Sequence, residues 1–171
     1  MTEPIISKNC RIRYPNYLEV GEFSIIDDFC YLSTKIKIGK YCHIANDVSI
    51  AGGEDFEFEL GDYSSISAGV RIWCRTNDYV NDLIVLNPLN KDIKDNHIEG
   101  NVYIGKYTGI GSNSVIMPNN NIPNGVSIGA LSFVPSNFKF KEWSVYAGIP
   151  IRFIKNRNKE NVLKQVKLLE K

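Results

Sequence analysis

Branched aliphatic residues recur along this chain every six positions. Val20, Ile26, Leu32, Ile38, Ile44 and Ile50 form one run, Leu60, Ile66 and Ile72 a second, and Ile104, Ile110, Ile116, Ile122, Ile128 and Val134 a third. A period of six matches neither the 3.6 of an amphipathic helix nor the 2 of a lone half-buried strand. It predicts an all-β chain coiled as a parallel β-helix, each hexamer forming one flat side of a coil. The first residue of each hexamer points inward and stacks on its equivalents. The fifth also points inward, near a corner, and is small: Ser, Thr, Cys or Val. The second is often Gly, which predicts a tight turn open to conformations other residues avoid.

The beat breaks twice. Ile50 to Leu60 is a step of ten, four residues too many, and Ile72 to Ile104 is a step of 32. Segments that leave a solenoid are frequently its functional face, and a long loop without its own periodicity is more often functional than not. After Lys159 the period changes: Val162, Val166 and Leu169 fall at helical spacing, with Glu160 four before Lys164. The organisation expected is a β-helix domain over residues 1–157, with a loop at about 75–101, and a short C-terminal α-helix over 158–171.

Charge and composition add limits. A net charge of +1 gives no bulk attraction to nucleic acid or to a membrane surface. No apolar run reaches the length of a membrane span, so no membrane insertion is expected. The first ten residues lack a basic segment followed by an apolar one, which makes the cytoplasm the expected compartment. Cys10, Cys30, Cys42 and Cys74 make no C-x-x-C pair and read as small residues in a reducing compartment. Charge is uneven, however. Ile151–Lys171 holds seven basic residues against two acidic ones, whereas Glu54, Asp55, Glu57, Glu59 and Asp62 form an acidic stretch.

The hexamers, the long loop after Ile72-Trp73-Cys74-Arg75-Thr76-Asn77 and the closing stretch AGIPIRFIK resemble the hexapeptide-repeat acyltransferases over roughly residues 18–157. The likeness is to the galactoside, maltose and xenobiotic branch and to the nucleotide-sugar acetyltransferases. It implies a left-handed parallel β-helix, a homotrimer with active sites in clefts between subunits, and acetyl-CoA as donor. Position by position, it places Ser112 and Ala130 against the pantetheine arm, with Gly111 and Gly129 allowing close approach, and Arg152 and Lys155 at the CoA phosphates.

In the galactoside and xenobiotic branch a catalytic histidine begins the long loop. Here that place is Asn77, and a carboxamide accepts no proton at neutral pH. Three replacements are candidates: His97 at the far end of the loop, Asp78 beside Asn77, and His43 at the outward sixth place of its hexamer. A fourth possibility is that the acceptor is a sugar amine, a better nucleophile than a hydroxyl, and needs no strong protein base. This favours N-acetylation of an amino sugar or nucleotide-linked sugar for a cell-surface polysaccharide. O-acetylation of the galactoside or maltose kind is the alternative. For the acceptor, the resemblance points to Glu54 or Asp55 and to Asp47, with Trp73 and Tyr79 available to stack on a ring. A γ-type carbonic anhydrase uses the same solenoid but needs three histidines on zinc. This chain has two, at the wrong spacing, and no metal is expected. A non-catalytic solenoid is the remaining reading, and AGIPIRFIK with the basic tail argues against it.

Overall fold

A computed structural model describes residues 2–80 and 96–169. The middle of the expected loop, 81–95, and Glu170 and Lys171 of the basic tail lie outside the described residues. The chain forms a left-handed parallel β-helix of about six turns, with short strands on three faces. The first face stacks the strands ending at Ile6, Ile26, Ile44, Ile66, Ile110 and Ile128, then Ser144–Ala147. The second stacks Ile12, Leu32, Ile50, Ile72, Ile116 and Val134, and the third Val20, Ile38, Leu60, Ile104 and Ile122. The hexamer markers therefore meet in register across coils. From Ile26 to Val134 every one of them is buried. Each contributes roughly 1.5–3 kcal/mol of hydrophobic stabilisation.

The corners differ from the expectation for glycine. The residue with positive φ is the fourth of most hexamers, not the second: Phe23, Phe29, Tyr41, Asp47, Tyr63, Tyr107, Asn113, Leu131 and Asn137 all have φ between 56° and 62°. A left-handed residue costs about 1–2 kcal/mol. The corner offsets this by turning the fourth N–H along the helix axis, where it donates to a carbonyl of the preceding coil. Tyr41 donates to Glu22, Tyr63 to Lys40, Tyr107 to Asp62, and Leu131 to Ser112, each at 2.9–3.0 Å. One corner adds an aromatic stack, Phe23–Tyr41–Tyr63–Tyr107, with centroids 4.6, 5.1 and 5.7 Å apart. Trp143 continues it across Gly125, whose missing side chain leaves the indole its place.

The second-position glycines have ordinary φ and serve a different purpose. A Cβ on Gly21 would lie 2.6 Å from the carbonyl carbon of Gly39, and one on Gly61 2.6 Å from the amide nitrogen of Lys106. They let consecutive coils close on one another. The fifth-position residues then stitch those coils. Ser64 Oγ donates to Gly105 O at 3.0 Å and accepts from Thr108 N at 3.0 Å. Ser24 repeats this with Gly39 O and Cys42 N, and Ser114 with Gly129 O and Ser132 N. Asn120, the largest such residue, is buried with its carboxamide donating to Met117 O and Pro135 O and accepting from Phe138 N. The thiols of Cys30 and Cys42 occupy equivalent places, and burial pushes Cys30 up to about 12, so both behave as small core groups.

Both insertions leave the barrel without breaking it. The four extra residues bulge from the strand Ser49–Leu60, where pairing with Tyr31–Ile38 shifts register around Thr34. Thr34 Oγ1 holds the bulge by donating toward Gly53 O and Phe56 O, at 2.9 and 2.6 Å. Phe58, which alternates with acidic residues as in an exposed strand, is fully buried in the core. At the other end the strand Arg152–Asn156 turns back antiparallel on Ser144–Ala147. Arg157 then caps the aromatic corner through Gly125 O. The C-terminal helix Lys159–Leu169 begins at Asn158, whose Oδ1 accepts from Asn161 N. Val166 is its buried residue, while Leu169 of the expected apolar stripe is exposed.

Replacing Gly61 by Ala is expected to destabilise the protein by about 1–3 kcal/mol, because backbone of the next coil occupies the added methyl's place. That lowers the thermal midpoint by roughly 3–10 °C, measurable by circular dichroism. An unchanged midpoint would show that the coils are not held at this spacing.

Candidate active site

The second insertion leaves the second face directly after Trp73 and returns through a two-stranded stem. Arg75–Asn77 pairs antiparallel with His97–Glu99, setting Asn77 opposite His97 and Arg75 opposite Glu99. The base of the stem is tied to the barrel by Cys74 N to Ala51 O at 2.7 Å and by Gly100 N to Cys74 O at 2.9 Å. Burial pushes the Cys74 thiol up to about 12, which removes it as a nucleophile. Between stem and barrel lies a cleft of 470 Å³. Asn77, His97 and Tyr79 wall it on the stem side, and Trp73, Arg13 and Tyr31 on the barrel side. Behind the stem a second hollow of 380 Å³ is lined by Asp55, Phe56, Arg75, His97 and Glu99.

The geometry of His97 is specific. Arg75 Nη2 lies 2.9 Å from His97 Nδ1, and its Nε lies 3.6 Å from Glu99 Oε2. A guanidinium only donates, so in this contact Nδ1 accepts. The neutral ring then carries its hydrogen on Nε2, and His97 is presented as a donor. A general base needs the opposite, an open lone pair facing the proton it removes.

The other base candidates are placed apart from this contact. Asp78 sits at the end of the stem, where Oδ1 accepts from Val80 N and its main chain exchanges bonds with Asn96. His43 is on the first face, its Nε2 2.8 Å from Asp27 Oδ2, both side chains nearly half exposed. Among the acceptor candidates, Trp73 and Tyr79 line the cleft, but the carboxylates do not. Asp47 is a corner residue paired with Arg71 at 3.1 Å. Glu54 is exposed on the bulge, and Asp55 faces the hollow behind the stem. From the bulge the cleft receives Gly52 and Gly53.

Gly111, Ser112, Gly129 and Ala130 stack on the corner between the first and second faces. The space beside Gly111 and Gly129 is already taken by the coil above, Ala130 backbone over one and Ala147 over the other. Ser112 and the exposed Ala130 are the members of this set with side chains on the ridge. Arg152 and Lys155 lie on the exposed terminal strand beyond it.

Of the other residues in the cleft, Arg13 lies outside the span that the hexamer pattern marks, while Tyr31 and Ser33 lie within its first run without any signal of their own. The available signal was Ile6 and Ile12, six apart, which begin the coil stack ahead of Val20.

Comparison with known proteins decides the family. No protein-family model matches the chain. A dTDP-4-amino-4,6-dideoxy-D-glucose acyltransferase of Escherichia coli is 34% identical over 146 residues, 84% of this chain and 73% of the relative. The chain belongs to the hexapeptide-repeat acyltransferases. The crystal structure of AntD, an N-acyltransferase from Bacillus cereus, in complex with dTDP and 3-hydroxybutyryl-CoA, matches this acyltransferase with a TM-score of 0.87 and 33% identity, over 98% of this chain and 87% of that one. A variant of AntD in complex with dTDP-4-amino-4,6-dideoxyglucose and coenzyme A matches with a TM-score of 0.86 and 31% identity, over the same shares of the two chains. Among the described residues of the acyltransferase, no group of three or more His, Cys, Asp or Glu is placed to hold a metal, and no helix is long and apolar enough to cross a membrane.

The Arg75 contact predicts that His97→Gln, which keeps a side-chain donor, retains kcat within about tenfold. A general base contributes about 10²–10⁴-fold, so a steady-state loss of that size would restore His97 to that role.

Proposed function

We propose that this acyltransferase moves the acyl group of acetyl-CoA, or of a closely related acyl-CoA, to the amine of a nucleotide-linked amino sugar. The observation that carries the reading is the stem itself. Asn77 stands where O-acetylating relatives are expected to hold histidine, and the imidazole opposite it accepts from Arg75 at 2.9 Å. Neither group suits the removal of a proton from a hydroxyl. A neutral amine attacks without that help. Its nitrogen forms the C–N bond to the thioester carbonyl, the C–S bond breaks, and the proton lost by nitrogen balances the one gained by the CoA thiolate. The E. coli relative, an acyltransferase of dTDP-4-amino-4,6-dideoxy-D-glucose, and the AntD complexes with dTDP, dTDP-4-amino-4,6-dideoxyglucose and CoA or acyl-CoA support the same acceptor and donor classes.

In this reading the donor lies along the ridge of Ser112 and Ala130. Its phosphates lie toward Arg152 and Lys155, where the tail carries its excess of positive charge. The acceptor sugar occupies the cleft beside Asn77, Trp73 and Tyr79. Donor ridge and acceptor cleft belong to different parts of one protomer, which fits a homotrimer whose sites lie between subunits. Both substrates are cytoplasmic metabolites, so the enzyme acts there, on a precursor of a cell-surface polysaccharide.

The test is thiol release from acetyl-CoA with a panel of acceptors. dTDP-, UDP- and GDP-linked amino sugars are expected to support turnover, whereas galactosides and maltose are not. Turnover confined to the hydroxyl-only acceptors would establish the O-acetyl alternative.

A further inference from the structure

The cleft beside the stem has a chemical character that its candidate acceptor residues did not anticipate. Among the described residues that line it none is acidic, while Arg13, Arg75 and His97 are all among them. Arg75 is balanced from behind by Glu99. No carboxylate among the described residues is in ion-pair contact with Arg13; the exposed Glu54 carboxylate on the bulge acts on it only as the smallest of the influences that raise its pKa. The Arg13 guanidinium sits 5.6 Å from the centroid of the Tyr14 ring and reaches the Tyr31 phenol. Ser33, and then Arg13, hold that phenol below its ordinary range. Set on the Tyr14 ring and spending one donor on the Tyr31 hydroxyl, the guanidinium has further N–H groups in its planar fork for an outside acceptor.

The β-helix places Arg13 relative to the stem without any loop. Ile12, Leu32, Ile50 and Ile72 are in register, so the residues that follow them, Arg13, Ser33, Ala51 and Trp73, rise along one outer ridge. Neighbouring strands stack about 4.8 Å apart, so three steps separate Arg13 from Trp73 by about 14 Å. The two residues between are small, and both lie in the cleft. The ridge is thus a shallow floor with an aromatic ring and the stem at one end and a cation at the other.

We infer that Arg13 binds the diphosphate of the nucleotide-linked acceptor, with the sugar directed to Trp73 and the stem. This rests on the proposed acceptor class and orients that acceptor in the cleft. The shared chemistry, a nucleoside diphosphate, is also present in CoA, and the two sources are separable. The sugar nucleotide is favoured because the cleft contains the stem residues expected to meet the acceptor, while the donor ridge lies on another corner.

The experiment is calorimetric titration of the wild-type protein, Arg13→Gln and Arg13→Lys with dTDP, thymidine and CoA, without turnover. In the wild type dTDP is expected to bind far more tightly than thymidine. Arg13→Gln should weaken dTDP at least tenfold, leave thymidine and CoA within twofold, and so collapse the gain contributed by the phosphates. Arg13→Lys should recover part of it, since charge is kept and the fork is lost. Arg13 is exposed, and unchanged thermal midpoints will confirm that the variants fold. Undiminished dTDP affinity in Arg13→Gln overturns the inference and leaves acyl transfer to an amine standing. A matched or larger loss for CoA also overturns it and assigns the cleft to the donor. If the wild type acylates no amino sugar yet loses dTDP with Arg13, the acceptor assignment fails while the diphosphate site holds.

Discussion

The spacing between stacked coils governs this molecule. Strands pair at about 4.8 Å, and each turn must close at that rise on three faces and three corners at once. The faces meet the requirement easily, because aliphatics in register interlock above one another. The corners are harder. They meet it by turning a fourth-position residue left-handed so that its N–H continues the axial ladder, and by removing the second-position side chain where the next coil's backbone arrives. Fifth-position hydroxyls, thiols and one buried carboxamide then satisfy the corner groups that no strand can reach. A buried polar group without such partners would cost about 1–3 kcal/mol.

The same spacing builds the candidate active site. A stack in register turns separation along the chain into height along an axis. Residues twenty or so apart in sequence, Arg13, Ser33, Ala51 and Trp73, become neighbours on one ridge. The stem grows from the coil where that ridge ends, because the insertion follows Trp73 and is tied at its base through Cys74. A flat repetitive surface thereby acquires a wall and becomes concave. The chemistry of the cleft depends on which residues the stem shares with it: Arg75 and His97 border both the cleft and the hollow behind, whereas Glu99 borders only the hollow.

The Glu99–Arg75–His97 line couples the two sides of the stem. With Arg75 donating to Nδ1, the neutral imidazole carries its hydrogen on Nε2, and its role shifts from removing a proton to binding an acceptor atom. Together with Asn77 this gives a site suited to a nucleophile that brings its own lone pair. The preference for an amine over a hydroxyl then follows from the hydrogen-bond polarity of two facing residues.

Much of this architecture was legible in the sequence. The six-residue beat located the inward aliphatics from Ile26 to Val134, and its two breaks located the bulge and the stem, because periodicity records which side chains face a common interior. It also exposed Asn77 as a departure. Other features were not legible. The period says nothing of φ, so glycine was read as the turning residue although it serves close approach. Two isolated isoleucines, Ile6 and Ile12, marked a coil too briefly to be counted, so Arg13 was missed. The acidic bulge lay next to the site in sequence, yet its glycines line the cleft while Glu54 stays outside and Asp55 turns behind the stem. The sequence alone determined which residues are inside, because burial needs only composition at the right period. Only the tertiary structure decided which outside residues share a cleft and which hydrogen each one offers, because those depend on how coils stack and on who donates to whom across them.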